Sequence, residues 1–206
     1  TNRRMYCDSD IERLILLKNA TAKGHSISSV AILPDETLRS LNNETGEFST
    51  RRLKSPDPDN EIILRTPTTE VEIYMERCKA AVPDMNRHGL EGALREASVV
   101  LSAPFFLERL AAPFMRWIGE RWHAGEIQIA HERLASAAVR DVLYRFSSQD
   151  SEANLPKVIV CTPNGNFHEI GAMLAAGAAT LEGWNSVYLG ANLPGLEICR
   201  VALELH

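Results

Sequence analysis

Residues 157–192 read KVIVCTPNGNFHEIGAMLAAGAATLEGWNSVYLGAN. The apolar run Val158-Ile159-Val160-Cys161 is β-branched and bounded by Pro and Gly, which predicts a buried strand. Thr162 to Gly171, with Pro163, Asn164, Gly165 and Asn166, predicts a loop. The small-residue stretch Ala172 to Ala179 predicts a helix packed closely on a sheet, and Ser186 to Gly190 predicts a second strand. His168 therefore falls in the loop at the carboxyl end of a strand, where open α/β sheets bind ligands. A His near a helix start is ordinarily a polar surface residue. Here its neighbours argue for more: a neutral imidazole suits a transition metal, a residue two positions earlier can fix its tautomer, and Gly171 lets a bulky group approach the backbone.

The chain has 206 residues, 45% of them hydrophobic, with a net charge of −5. That length predicts two or three small modules, and the mild acidity argues against a chain that coats nucleic acid along its whole length. No apolar run reaches membrane-spanning length and no signal peptide is visible, so no membrane partner and a cytoplasmic location are expected. Cys7, Cys78, Cys161 and Cys199 lack paired spacing and predict neither a zinc site nor a disulfide framework. Both ends read as cut, since the chain starts without Met and stops inside the second helix of an α/β unit.

Residues 1–50 predict an Arg-rich hairpin end, a helix from Ile11 to Lys23 capped by Asp8-Ser9-Asp10, with Ile11, Leu14, Leu16 and Leu17 as its apolar face, then short helices from Ile27 to Ala31 and from Pro34 to Leu41. Residues 51–66 are polar and predict a linker. Residues 67–150 predict a four-helix bundle: Thr69 to Ala80, Asn86 to Ser102, Pro104 to His123 and Glu126 to Phe146. Leu107, Leu110, Phe114 and Trp117 are expected in its core. Gly125 suits a helix stop and Glu126 a first helical turn. Trp122 and His123 then sit at the bundle's end, and Ile129, Glu132, Arg133 and Ser136 share one face of the next helix. Taken alone, a terminal Trp is more often core, and Glu132-Arg133 would usually be a solvated surface. His131 is expected to be an exposed helix residue and not a ligand. Residues 155–206 predict a partial Rossmann-like domain.

The order Asn166-x-His168-x-x-Gly171, between a strand and a Gly/Ala-rich helix, resembles the motif of Rossmann-type cobalamin-binding domains. That resemblance implies His168 as the lower axial cobalt ligand. The chain has Asn166 where the family often has an acidic residue, which should make the imidazole a weaker donor. Arg4-Met5-Tyr6-Cys7-Asp8-Ser9-Asp10-Ile11-Glu12-Arg13-Leu14 followed by Gly24-His25-Ser26-Ile27 resembles the carboxyl half of a MerR-type winged-helix DNA-binding domain. It implies DNA contacts from Arg3, Arg4 and Tyr6, although two arginines alone are a weak electrostatic footprint. Trp122, nine residues, then Glu132 resembles the CarH/LitR-type light-sensing MerR-family regulators. That family uses Trp to cover the upper face of adenosylcobalamin, and Glu-His to contact the adenosyl group. It implies His123 as an upper cobalt ligand after photolysis. Arg133 stands where the family has His. Arg donates but cannot accept, so methylcobalamin is the alternative cofactor and an altered light response the alternative behaviour.

The resemblance covers nearly the whole chain. It implies a multi-domain α and α/β protein: a partial winged helix, a four-helix bundle and a partial cobalamin domain. It implies no enzyme but a cobalamin-dependent photoreceptor and repressor. Its expected partners are operator DNA and itself, as a homo-tetramer in the dark and a smaller species after light. A light-independent cobalamin sensor, a corrinoid carrier for methyl transfer and a ligand-free interaction protein are the alternatives. Residues 1–50 argue against the carrier.

Overall fold

The computed structural model describes residues 7–43, 50–54, 61–147 and 155–205. Helix α1 (Asp8–Ala22) starts three residues earlier than the expected Ile11, with Cys7 as N-cap and Asp10 Oδ2 accepting from the Cys7 amide at 2.9 Å. Helices α2 (Ile27–Val30) and α3 (Asp35–Asn43) follow. Ser26 caps α2 by accepting from the Ser29 amide, which satisfies an amide with no partner inside the helix. Ala20, Val30, Leu33, Leu38 and Leu41 form a small core, with Leu16 and Leu17 packed against it. The apolar face expected on α1 is thus divided. Leu16 and Leu17 turn inward, while Ile11 and Leu14 are about half exposed.

The span expected to be a polar linker contains an antiparallel hairpin, β1 (Thr50–Lys54) with β2 (Glu61–Arg65), in register Thr50 to Arg65. The run Ile62-Ile63-Leu64 lacks the apolar–polar alternation that signals a strand in sequence, and the pairing with residues 50–54 is a matter of backbone register.

Four helical rods make the main core. They are α4 (Pro67–Ala81), α5 (Arg87–Val100), a composite third rod, and α8 (Ile129–Ser147). The third rod is α6 (Ala103–Phe105), a π-helical segment (Phe106–Ala111) and α7 (Ala112–His123). Pro113 has no N–H to give, and in a regular helix its ring would collide with the carbonyl four residues back. The widened π turn ahead of it accommodates that ring. Leu107, Leu110 and Phe114 are buried in the core as their spacing predicts, with Trp117 packed at its edge. The fourth rod starts at Ile129 rather than Glu126. Glu126 instead pairs with Arg121 across the turn, and Gly125 adopts φ +72° there.

The carboxyl-terminal part is β3 (Lys157–Val160), α9 (Glu169–Leu181), β4 (Asn185–Tyr188) and α10 (Gly195–Glu204). The two strands are parallel, Val158 opposite Ser186 and Val160 opposite Tyr188, so α9 is the crossover that parallel pairing requires. Its Met173, Ala176 and Gly177 are buried against the bundle. At Gly177 an added Cβ would lie 3.3 Å from Leu107 Cδ1.

The amino-terminal helices are joined to the bundle by main chain. The Ser26 amide donates to Val100 O at 3.3 Å and the Ser102 amide to Gly24 O at 3.0 Å. Gly24 has φ +103°, and an added Cβ would lie 2.7 Å from the Phe105 ring. His25, opposite Leu101 in this bridge, is buried. Burial, and then the charge of Lys23, lower its pKa from the ordinary 6.5. All four cysteines are free. No helix of the described residues is long and apolar enough to cross a membrane.

Two measurements check this packing. Phe114→Ala should cost about 3–5 kcal/mol in urea unfolding. The His25 proton is bound more readily by the unfolded chain, so stability should fall as pH drops below 6.5 and level off under the folded-state pKa. His25→Gln should flatten that slope, and an unchanged slope would refute the assignment.

Candidate cofactor site

The loop from β3 to α9 is fixed by a small polar knot. Thr162 is buried; its hydroxyl donates to Asn166 O and accepts from the Asn192 amide at 2.9 Å. Asn192 Oδ1 accepts from the Gly165 amide at 2.8 Å. Asn166 Oδ1 accepts from the His168 amide at 2.9 Å. Asn166 therefore sets the main chain of the loop, and not, as its spacing suggests, the second nitrogen of the imidazole. His168 is the N-cap residue of α9, yet its side chain makes no capping bond. The imidazole stays available at the helix start.

This loop forms one wall of a cavity of about 330 Å³, with Phe167, His168 and Gly171 on its lining. The opposite wall comes from the bundle. Helix α7 contributes Met115, Gly119, Trp122 and His123, and α8 contributes Ile129, Glu132, Arg133 and Ser136. The volume falls in the range of small-molecule sites. Trp122 is 43% exposed, Ile129 57% and Phe167 71%. Large exposed apolar groups gathered around one cavity mark an interaction site. Gly119 and Gly171 both face open space, with nothing within 4 Å of where a Cβ would stand.

Of the residues expected from sequence, Trp122, His123, Ile129, Glu132, Arg133, His168 and Gly171 all line this cavity, and Asn166 supports it from behind. Trp122 and His123 lie against each other with ring centroids 4.9 Å apart. Glu132 is engaged on both oxygens: Ser136 donates to Oε1 at 2.7 Å, and Arg133 Nε lies 3.6 Å from Oε2. Arg133 is largely exposed, so this pair is weak. His131 is half-buried rather than exposed. Its Nδ1 accepts from the Gln128 amide at 3.0 Å and so caps α8. Arg3, Arg4 and Tyr6 lie outside the described residues.

Arg140 and Glu169 also line the cavity and carry no sequence motif. Continuing the α8 face one turn beyond Ser136 reaches Arg140, which is the signal that could have found it. Arg140 Nε donates to Glu169 Oε1 at 2.5 Å, and Tyr188 donates to Glu169 Oε2 at 3.1 Å. Burial first, and then Glu169, push the Tyr188 phenol far up.

No group of three or more His, Cys, Asp or Glu side chains among the described residues could hold a metal ion. A metal at His168 would have to arrive with other donors of its own, as in a macrocyclic chelate. The His168 imidazole, the exposed apolar side chains of Trp122 and Ile129 on the facing wall and two glycines that open the cavity fit such a group.

Thr162→Val should leave the Asn192 amide and Asn166 carbonyl without partners and cost about 1–3 kcal/mol, read by thermal unfolding.

Comparison with known proteins bears on this geometry. Residues 74–146 match the family described as B12 binding domain. The HTH-type transcriptional repressor CarH of Myxococcus xanthus is 27% identical over 207 aligned positions, which cover 98% of this chain and 64% of CarH. The HTH-type transcriptional repressor CarA of the same organism is 27% identical over 138, covering 66% of this chain and 46% of CarA. The chain thus spans less than two thirds of either relative. The methanol:cobalamin methyltransferase complex MtaBC from Methanosarcina barkeri aligns at 15% identity and a TM-score of 0.36, over 67% of this chain and 57% of that one, a likeness too slight to carry an argument. The matched helices are those that supply Trp122, His123 and Glu132, and the similarity to CarH extends over nearly the whole of this chain.

Proposed function

We propose that this chain is a cobalamin-dependent photoreceptor and transcriptional regulator, acting as a repressor. The observation that carries the reading is the cavity between α7–α8 and the His168 loop, with a free imidazole on one wall and Trp122 and His123 on the other. Residues 1–50 act as the carboxyl part of a winged-helix unit, with Arg3, Arg4 and Tyr6 meeting operator DNA. Residues 51–66 connect it to the bundle, residues 67–150 cap the cofactor, and residues 155–206 hold it from below.

Adenosylcobalamin, when bound, supplies a cobalt–carbon bond that visible light can break. The protein's own groups do the rest. His168 would hold the metal from the α/β part, and Trp122 would cover the cofactor with an apolar ring from the bundle. Glu132 offers acceptor oxygens to the upper group, while Arg133 offers only donors. His123, beside Trp122 in the last turn of α7, would be the second imidazole available to the metal from the bundle side. Because α7 and α8 both line the cavity, their position would respond to what fills it. Such a local change can be read out by an interface between copies of the chain. Several weak DNA-binding units joined in one oligomer, a tetramer in the dark, bind an operator far more tightly than one alone.

The test uses the full protein with adenosylcobalamin, in the dark and after green light, by visible spectroscopy and gel filtration. A spectral change with a drop in size supports the photoreceptor, and His123→Ala should alter the lit spectrum only. Binding without a size change would leave a light-independent cobalamin sensor or a methyl-transfer carrier, with methylcobalamin the cofactor to try next. Failure of the protein to retain cobalamin would sink the reading. His168→Ala should weaken retention by about 10-fold or more.

A further inference from the structure

His168 makes no side-chain capping bond at the start of α9, so its direction is set through its neighbours in the chain. One constraint is the Asn166 side chain, which accepts from the amide of His168 itself. The other is Glu169, the first residue of α9. Both Glu169 oxygens are taken, and by groups from two different parts of the fold. Arg140 of α8 brings Nε and Nη2 each to 2.5 Å of Oε1. Tyr188, at the end of β4, donates to Oε2 at 3.1 Å. The Tyr188 ring in turn meets Tyr144, one turn after Arg140 on α8, edge-on with centroids 6.4 Å apart. Glu169 is 20% exposed and Arg140 34%. Most other ion pairs of the described residues have a partner that is more than 40% exposed, where solvent screens the attraction. This one is shielded and engages a planar two-nitrogen donor.

We propose that Arg140, Glu169 and Tyr188 form a clasp that positions His168 against the bundle wall, so that the depth of the imidazole in the cavity is set by α8 rather than by the α/β part alone. The assignment rests on the cobalamin reading for what His168 holds, but the clasp itself exists without ligand. These are positioning residues, since none of them needs to touch the metal. The clasp also makes the coupling reciprocal. Whatever shifts α8 relative to α9 must move Glu169, and with it the residue before it. Arg140→Met removes the guanidinium and keeps the stem, Glu169→Gln keeps the shape and removes the charge, and Arg140→Lys keeps a cation on the same helix. Tyr188→Phe removes one bond and leaves the ring contact, which makes it the variant most certain to fold.

The experiment has two parts, both on the full protein. Amide hydrogen exchange over residues 165–171, without cofactor, should speed up several-fold in Glu169→Gln and Arg140→Met, less in Tyr188→Phe, and return towards wild type in Arg140→Lys. Unchanged exchange in all variants would overturn the clasp. Equilibrium binding of hydroxocobalamin should then weaken about 10-fold in Glu169→Gln and Arg140→Met, as for loss of groups that orient a ligating side chain. Their visible spectra should move towards that of His168→Ala. Wild-type affinity and spectrum in these variants would overturn the positioning role while leaving the cobalamin reading intact. If the wild type does not bind hydroxocobalamin, the cobalamin reading falls and the exchange data alone decide the clasp.

Discussion

Close contact between α9 and the bundle is the constraint on which the rest of this structure depends. It is possible because α9 presents Ala176 and Gly177 at the closest approach. At Gly177 a Cβ would already press on Leu107, and Phe146 stands just behind it. Ala176 and Met173 are buried beside it. A helix with large side chains on this face would stand further from the bundle. The α7–α8 end would then no longer overhang the loop that carries His168, and the cavity would open into a groove. Small residues on a buried helix face thus act at a distance, by fixing the height of a site formed more than one turn away.

The third rod contributes to the same constraint. The π-helical segment Phe106–Ala111 includes Leu107, the side chain that meets Gly177, and precedes Pro113. The local widening forced near Pro113 therefore occurs where α9 docks. The Phe106 and Phe146 rings stack nearby at 5.4 Å, filling the space with rigid surface. From this point α7 runs on to Trp122 and His123, so the geometry of the cavity's bundle wall is referred to the same contact that positions the α/β part.

Polar interactions then select one arrangement of the loop within that apolar frame. Thr162 and Asn192 hold its backbone, and Arg140 with Tyr188 hold Glu169. The amino-terminal helices are tied in separately, through the backbone bridge at His25 and Leu101 and the tight approach of Gly24 to Phe105. The structure therefore contains a continuous packed path from that unit, through α5 and the third rod, to the cavity. It is an anatomical connection between a proposed DNA-binding part and a proposed cofactor site.

The sequence alone determined the element types along most of the chain. Strand–loop–helix around His168 was legible because β-branched residues, turn residues and small residues occur in separate blocks. The apolar stripe of Leu107, Leu110 and Phe114 marked the core because its helical spacing survives the π turn. Residue order also brought Trp122, Glu132 and His168 into view as one group, through a motif spacing that local chemistry alone would leave ambiguous. Tertiary structure decided what pairing in space must decide. The β1–β2 hairpin depends on two segments meeting, and neither carries a strong strand pattern. His131 became a cap because α8 begins three residues later than Glu126 suggests. Asn166 turned to the backbone because the knot at Thr162 orients the loop. Arg140, Glu169 and Tyr188 lie 29 and 19 residues apart in successive steps, and nothing in a linear sequence records that an arginine on one helix, a carboxylate on the next and a phenol on a strand converge, because that convergence is set by the packing of α8 on α9.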